Sequence, residues 1–123
     1  MTDLPSMSKS ERRAAPSGWL YLCQNESVHY IIDALLSVDP SREFTQTELA
    51  RLAGVSTQSV RRHMDRLVEM GVVATTAGGR RYHYDMESEV GRLVAELNGA
   101  LVARGFDAGD DAEEDGDRAD AVQ

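Results

Sequence analysis

Apolar residues recur along this chain with a helical period in several stretches and alternate with polar ones in another. Val28, Ile31, Ile32, Leu35 and Leu36 stand at i, i+3, i+4, i+7 and i+8, the spacing of one buried helix face. Asn25 or Ser27 can cap this helix. Val38-Asp39-Pro40 ends it, because proline disfavours helix in the residue before it. From Phe44 to Met70 the pattern predicts two further helices, about Thr47–Ala53 and Thr57–Met70, joined by a tight turn at Gly54-Val55-Ser56. Leu49, Leu52 and Ala53 form the apolar face of the first, and Val60, Met64, Leu67 and Val68 that of the second. Thr45 or Thr47 can cap the first helix, and Glu48 sits in its first turn, where the helix dipole favours a carboxylate. Gly54 suits a left-handed helix end, and Ser56 suits the next N-cap. Ala50 is small enough for two crossing helices to press together.

Beyond Gly71 the period changes. Val72–Thr76 is rich in β-branched residues, Ala77-Gly78-Gly79 makes a turn, and Arg80–Asp85 alternates, with Arg81 and His83 on one face and Tyr82 and Tyr84 on the other. Arg42–Thr45 is a candidate short strand beside this hairpin. Ser88 then caps a last helix, ended by Gly105, with Val90, Leu93, Val94, Leu97, Leu101 and Val102 along one side. The three earlier helices already fill a core of this size, so that spare stripe is expected to pair with a second copy of the chain. Trp19, Leu20 and Leu22, in an apolar run before the first amphipathic helix, are expected beside it.

With its apolar side turned inward, the helix after Gly54 presents Thr57, Gln58, Arg61, Arg62 and Asp65 outward. A short polar and basic face on an anchored helix is the geometry of a helix laid into a DNA major groove. The run L-A-x-L-A-G-V-S-x-x-x-V-x-R-H-M-x-x-L, from Leu49 to Leu67, resembles the helix-turn-helix of winged-helix transcription regulators of the ArsR and MarR kind. The resemblance extends over about Val28–Met86. It implies a mainly α fold with a small β-hairpin wing, an α+β winged helix with an additional C-terminal dimerisation helix. The domain reading is an unstructured N-terminal arm at 1–18, a DNA-binding domain at 19–86, a dimerisation helix at 87–105 and an acidic, unstructured tail at 106–123.

The implied activity is sequence-specific regulation of transcription by a homodimer on double-stranded DNA, with no catalytic step. Thr57, Gln58, Ser59 and Arg61 are the candidates for base edges, since Gln suits adenine and Arg suits guanine by paired hydrogen bonds. Ser56, Arg62, His63, Arg66, Arg80 and Arg81 are the candidates for the sugar-phosphate backbone, the last two from the tip of the wing. Lys9, Arg12 and Arg13 in the N-terminal arm suit contact with a phosphate or a minor groove, with a solvated tail as the other reading. The expected dimer contacts are Trp19, Leu20, Leu22, Leu93, Val94, Leu97 and Leu101. A winged helix that binds only proteins, as an adaptor in a transcription or replication assembly, is the alternative.

A net charge of −8 over 123 residues runs against a DNA-binding role until its distribution is read. Residues 44–84 carry six arginines against Glu48, Asp65 and Glu69, whereas 106–123 carry eight carboxylates against Arg118 alone. Lys9 is the only lysine among 13 basic residues. Arginine in place of lysine, with abundant acid, resembles the proteins of salt-accumulating halophilic archaea; a GC-rich genome and an acidic tail give the same balance. The single cysteine, Cys23, excludes an intrachain disulfide and fits a reducing cytoplasm, in keeping with a nucleoid-associated protein. No apolar run approaches a membrane span, and no signal-peptide core opens the chain. His29, His63, His83 and Cys23 stand at no metal-ligand spacing, and the Cys-x-Cys of ArsR-type metal sensors is missing. Neither a cofactor nor an enzymatic motif is expected, and no pattern assigns a small-molecule effector.

Overall fold

The computed structural model describes residues 6–106. Its elements, in chain order, are α1 (Lys9–Ala14), α2 (Gly18–Cys23), α3 (Glu26–Leu36), α4 (Gln46–Ala53), α5 (Thr57–Met70), β1 (Val73–Thr76), β2 (Arg81–Tyr84) and α6 (Glu89–Ala103). A three-helix unit followed by an antiparallel hairpin is the winged-helix arrangement, as the sequence predicts. The stretch 1–18 was expected to lack structure, yet it carries α1, closed by a capping box between Ser8 and Glu11 and burying none of its residues. The acidic tail falls, from residue 107 on, outside the described residues.

The core is built by the predicted stripes. Val28, Ile31, Ile32 and Leu35 of α3 meet Leu49 and Ala50 of α4 and Val60, Met64 and Leu67 of α5, with Phe44, Val72, Val73 and Tyr84 closing one end. Two positions depart from expectation. Leu52 is 41% exposed and Val68 36%, while Ala50 and His63 are inside. Helix geometry explains both. At about 100° per residue, the buried arc of α5 centres near Val60 and Leu67, so Val68 falls at its edge and His63 within it. On α4, with Leu49 taken as 0°, Ala53 stands at about 40°, Ala50 at about 100° and Leu52 at about −60°, so the buried arc runs from Leu49 past Ala53 to Ala50 and leaves Leu52 outside.

The turn between α4 and α5 is fixed at both ends. Thr45 supplies the N-cap of α4, accepting from the Glu48 amide at 3.1 Å while Glu48 Oε1 accepts from the Thr45 amide at 2.9 Å. Gly54 ends α4 with φ of 75°, a conformation that costs other residues energy. Ser56 Oγ then accepts from the Ser59 amide at 3.0 Å to start α5. In the wing, β1 and β2 pair in register from Val73 with Tyr84 to Thr76 with Arg81. Phe44 bridges to Tyr82 across the other edge of β2, with both backbone hydrogen bonds at 2.8 Å, so the expected strand near Arg42–Thr45 is a single pair.

The last helix is held at its beginning. Ser88 Oγ accepts from the Gly91 amide at 2.9 Å and donates to the Gly71 carbonyl. Asp85 accepts from the amides of Glu87 at 3.0 Å and Ser88 at 3.1 Å. The Tyr84 hydroxyl donates to the Gly91 carbonyl at 2.8 Å. Burial, with Asp85 beside it, raises the Tyr84 pKa and keeps that proton in place. Gly91 is buried, and Val94 and Ala95 are packed on the core. The apolar stripe lies roughly a quarter turn away by the same 100° rotation, and Val90, Leu93, Leu97 and Leu101 are 41, 54, 48 and 43% exposed.

Two glycines of α6 separate packing from helix propensity. A Cβ at Gly91 would lie 1.8 Å from the Asp85 carbonyl oxygen, whereas one at Gly99 would meet nothing within 4 Å. Gly91→Ala is expected to destabilise the fold by about 1–3 kcal/mol through forced displacement of α6. Gly99→Ala should stabilise it by about 0.5–1 kcal/mol. Denaturant midpoints of the two variants check this; equal effects would mean that α6 is not seated through Gly91.

Candidate nucleic-acid interface

The outward side of α5 is open to solvent. Gln58, Arg61 and Arg62 are exposed, Ser56 is exposed at the cap, and Thr57 and Ser59 are half-buried beside it. Val60, Met64 and Leu67, on the opposite side of the same helix, are at most 1% exposed. Neither Arg61 nor Arg62 enters an ion pair among the described residues, where Arg81 is the only paired cation. The Ser56 hydroxyl donates to Ser59 Oγ at 3.1 Å, so these two hydroxyls hold each other at the start of the helix. The N-terminal half of α5 therefore offers an amide, two guanidiniums and the positive end of the helix dipole on one surface.

Two expected backbone contacts are turned elsewhere. His63 is 9% exposed and lies on the buried arc of α5. Desolvation lowers its pKa, and the neighbouring Arg66 and Arg62 lower it further, so the ring sits neutral inside the domain. Arg66 leans the other way, with its guanidinium 4.9 Å from the Tyr21 ring and Nη1 buried without a partner. That cation–π contact ties α5 to α2 and withdraws Arg66 from the surface formed by Arg61 and Arg62.

The wing arginines divide. Arg80 is exposed at the hairpin turn, its Nε donating to the Ala77 carbonyl at 3.3 Å. Arg81 lies over α4, with Nη2 3.4 Å from Glu48 Oε1 and Nε 3.7 Å from Glu43 Oε1. The Thr45 backbone hydrogen bond is the main cause of a lowered Glu48 pKa, and Arg81 adds to it. Both contacts are exposed and screened by solvent, so a phosphate can replace the carboxylates. Two further cations belong to the same surface and were not among the expected site residues. Arg42, 5.4 Å over the Phe44 ring, and Arg51 line an open groove of about 590 Å³ with Arg81, Glu43, Glu48 and Leu52. Arg51 was legible as charge in the sequence; only the fold brings it beside Arg42 and the wing.

A second surface is apolar. Trp19 is 66% exposed, Leu20, Leu22 and Val94 are half-buried, and Leu93, Leu97 and Leu101 stand open along α6. Trp19, Leu22, Ile32, Leu36, Val94 and Leu97 line an apolar groove of about 230 Å³ where α2, α3 and α6 meet. Cys23 is half-buried at its edge. Among the described residues no three of His, Cys, Asp and Glu are grouped to hold a metal ion, and no helix is long and apolar enough to cross a membrane.

Residues 25–81, which span the three core helices and most of the wing, match the sequence profile of the MarR family. The crystal structure of NolR from Sinorhizobium fredii is similar at a TM-score of 0.53 and 22% identity, covering 85% of this chain and 100% of that one. At that identity the likeness is one of fold. No curated protein matches the chain. Of the two kinds of regulator that the helix-turn-helix resembles, the family match falls on MarR.

The buried imidazole makes stability depend on pH. A histidine whose folded pKa lies below its ordinary 6.5 is neutral in the fold and more readily protonated when unfolded. Stability is then full above that ordinary value and is lost as pH falls through it towards the folded pKa. Wild type is expected to lose thermal stability between neutral and mildly acid pH more steeply than His63→Leu does. Parallel melting curves at each pH check this; identical pH profiles would place His63 in solvent.

Proposed function

We propose that this winged helix, MarR-like over residues 25–81, is a transcription regulator that binds a short, near-palindromic double-stranded DNA site as a homodimer. The observation that supports it best is the two-sidedness of α5: Val60, Met64 and Leu67 are sealed in the core while Gln58, Arg61 and Arg62 stand free. In this reading α5 enters the major groove, with Thr57, Gln58, Ser59 and Arg61 toward base edges. Ser56, Arg62, Arg80 and Arg81 meet the backbone, joined by Arg42 and Arg51. His63 and Arg66 leave the contact set and become positioning residues for the helix.

The dimer is formed through Leu93, Leu97 and Leu101 of α6 with Trp19, Leu20, Leu22 and Val94 alongside. It sets two recognition helices about one DNA turn apart, roughly 34 Å. The exposure of a whole helix stripe, a quarter turn from the face that packs on the domain, supports this. We place the protein at the nucleoid in the cytoplasm, and on its arginine-rich, lysine-poor composition in a salt-accumulating archaeon. A protein-binding adaptor is the second reading, favoured by the net charge of −8.

A gel shift on the protein's own upstream region, against a scrambled fragment, separates the two readings. Arg61→Ala is expected to weaken specific binding by about 1–3 kcal/mol; unchanged affinity would remove Arg61 from the interface. Leu97→Asp with Leu101→Asp should give a monomer by analytical ultracentrifugation. A wild-type monomer, or a dimer that survives both substitutions, would refute the α6 interface.

A further inference from the structure

We propose that the acidic segment Asp107–Asp120 of this chain docks on the N-terminal half of α5 and competes with DNA for it. The inference rests on the DNA-binding reading above for its consequence, but not for the docking itself. The segment lies outside the described residues. Asp110, Asp111, Glu113, Glu114, Asp115 and Asp117 put six carboxylates within eight residues. A fully extended chain, at about 3.4 Å per residue, would space such carboxylates roughly 4–5 Å apart on average, close to the one charge per 3.4 Å along a single DNA strand.

The N-terminal half of α5 fits this anionic line. Arg61 and Arg62 have no ion-pair partner among the described residues, and Gln58 stands exposed beside them. The helix dipole adds partial positive charge at the start of α5. Asp65 and Glu69, exposed further along, repel an acidic partner and so direct it to the N-terminal half. Arg51 on α4 and Arg80 at the wing turn are exposed as well.

Reach is sufficient. Fourteen residues beyond Phe106 extend to about 46–50 Å. A folded unit of about 100 residues has a radius of gyration near 13 Å, hence a diameter of roughly 34 Å. A short tether also supplies a local concentration in the millimolar range, so even a weak intrinsic affinity keeps the surface occupied.

The device is governed by salt. At about 0.15 M the screening length is near 8 Å and at 1 M near 3 Å, so rising salt releases the tail. DNA affinity falls with the same rise through loss of counterion release. The two effects oppose each other, and the full chain should hold its DNA affinity across a wider range of salt than a chain with a neutral tail.

The test uses the full-length protein and a full-length variant with Asp110, Asp111, Asp115 and Asp117 changed to Asn and Glu113 and Glu114 to Gln. A chain ending at Phe106 serves as the second variant. Without DNA, at about 0.1 M KCl, both variants should shift the NMR signals of residues 57–62 relative to wild type. Signals that do not move there overturn the docking. With a labelled duplex from the upstream region, both variants should bind about tenfold more tightly at low salt. Their affinity should also decline more steeply towards molar KCl. Shifted signals with unchanged affinity overturn the competition. Shifted signals with no DNA binding by any of the three proteins uphold the docking and reject the regulator reading instead.

Discussion

The burial of one side of α5 sets the position of everything else on the candidate interface. Val60, Met64 and Leu67 are sealed against α3 and α4. Each such side chain stabilises the fold by about 1.5–3 kcal/mol relative to exposure. A helix held this firmly cannot roll about its axis, so the directions of Gln58, Arg61 and Arg62 follow from residues that never touch solvent. The Thr45–Glu48 box, the left-handed Gly54 and the Ser56 cap fix where the helix starts. Arg66 adds a contact from outside the core, bracing α5 against Tyr21. That brace connects α5 to α2, the same helix that carries Trp19 of the apolar surface.

The sixth helix illustrates how packing and presentation are divided on one element. A helix whose largest apolar residues faced the domain would bury Leu93 and Leu97. Here the domain side is taken by Gly91, Val94 and Ala95. The small residue lets the backbone come within hydrogen-bonding distance of Tyr84, and the leucines are left outward. Tight seating at the first turn and an unpartnered stripe beyond it are two consequences of one placement of glycine.

Much of this was legible in the chain itself. The stripe Val28–Leu35, the turn at Gly54, the hairpin at Ala77-Gly78-Gly79 and the helix after Ser88 follow from periodicity and turn chemistry alone. Short-range rotation errors account for Leu52 and Val68, because an apolar residue at the edge of an arc looks the same in sequence as one at its centre. Helix α1 was missed although Ser8-x-x-Glu11 is a capping signature, since no apolar stripe follows it. The fates of His63 and Arg66 could not be read. Each depends on what lies opposite the helix, and Tyr21 is far away in sequence. The pairing of Arg81 with Glu43 and Glu48 is likewise a product of the sheet edge that Phe44 joins.

An acidic protein with a basic working surface has to keep the two charges apart or put them to use. Along this chain the cations are graded by how firmly they are held. Arg66 is committed to an aromatic ring, Arg81 rests on two carboxylates in exposed and exchangeable pairs, and Arg61 and Arg62 are left open. A polyanion approaching α5 therefore meets free guanidiniums first and can recruit Arg81 afterwards at little cost. The same gradation makes the surface equally receptive to the chain's own carboxylates, because electrostatic attraction over these distances does not distinguish a phosphate from an aspartate. What does distinguish them is shape: a duplex presents base edges that an acidic peptide lacks. Selectivity on such a surface comes from the hydrogen-bonding groups, while charge decides only whether the surface is occupied.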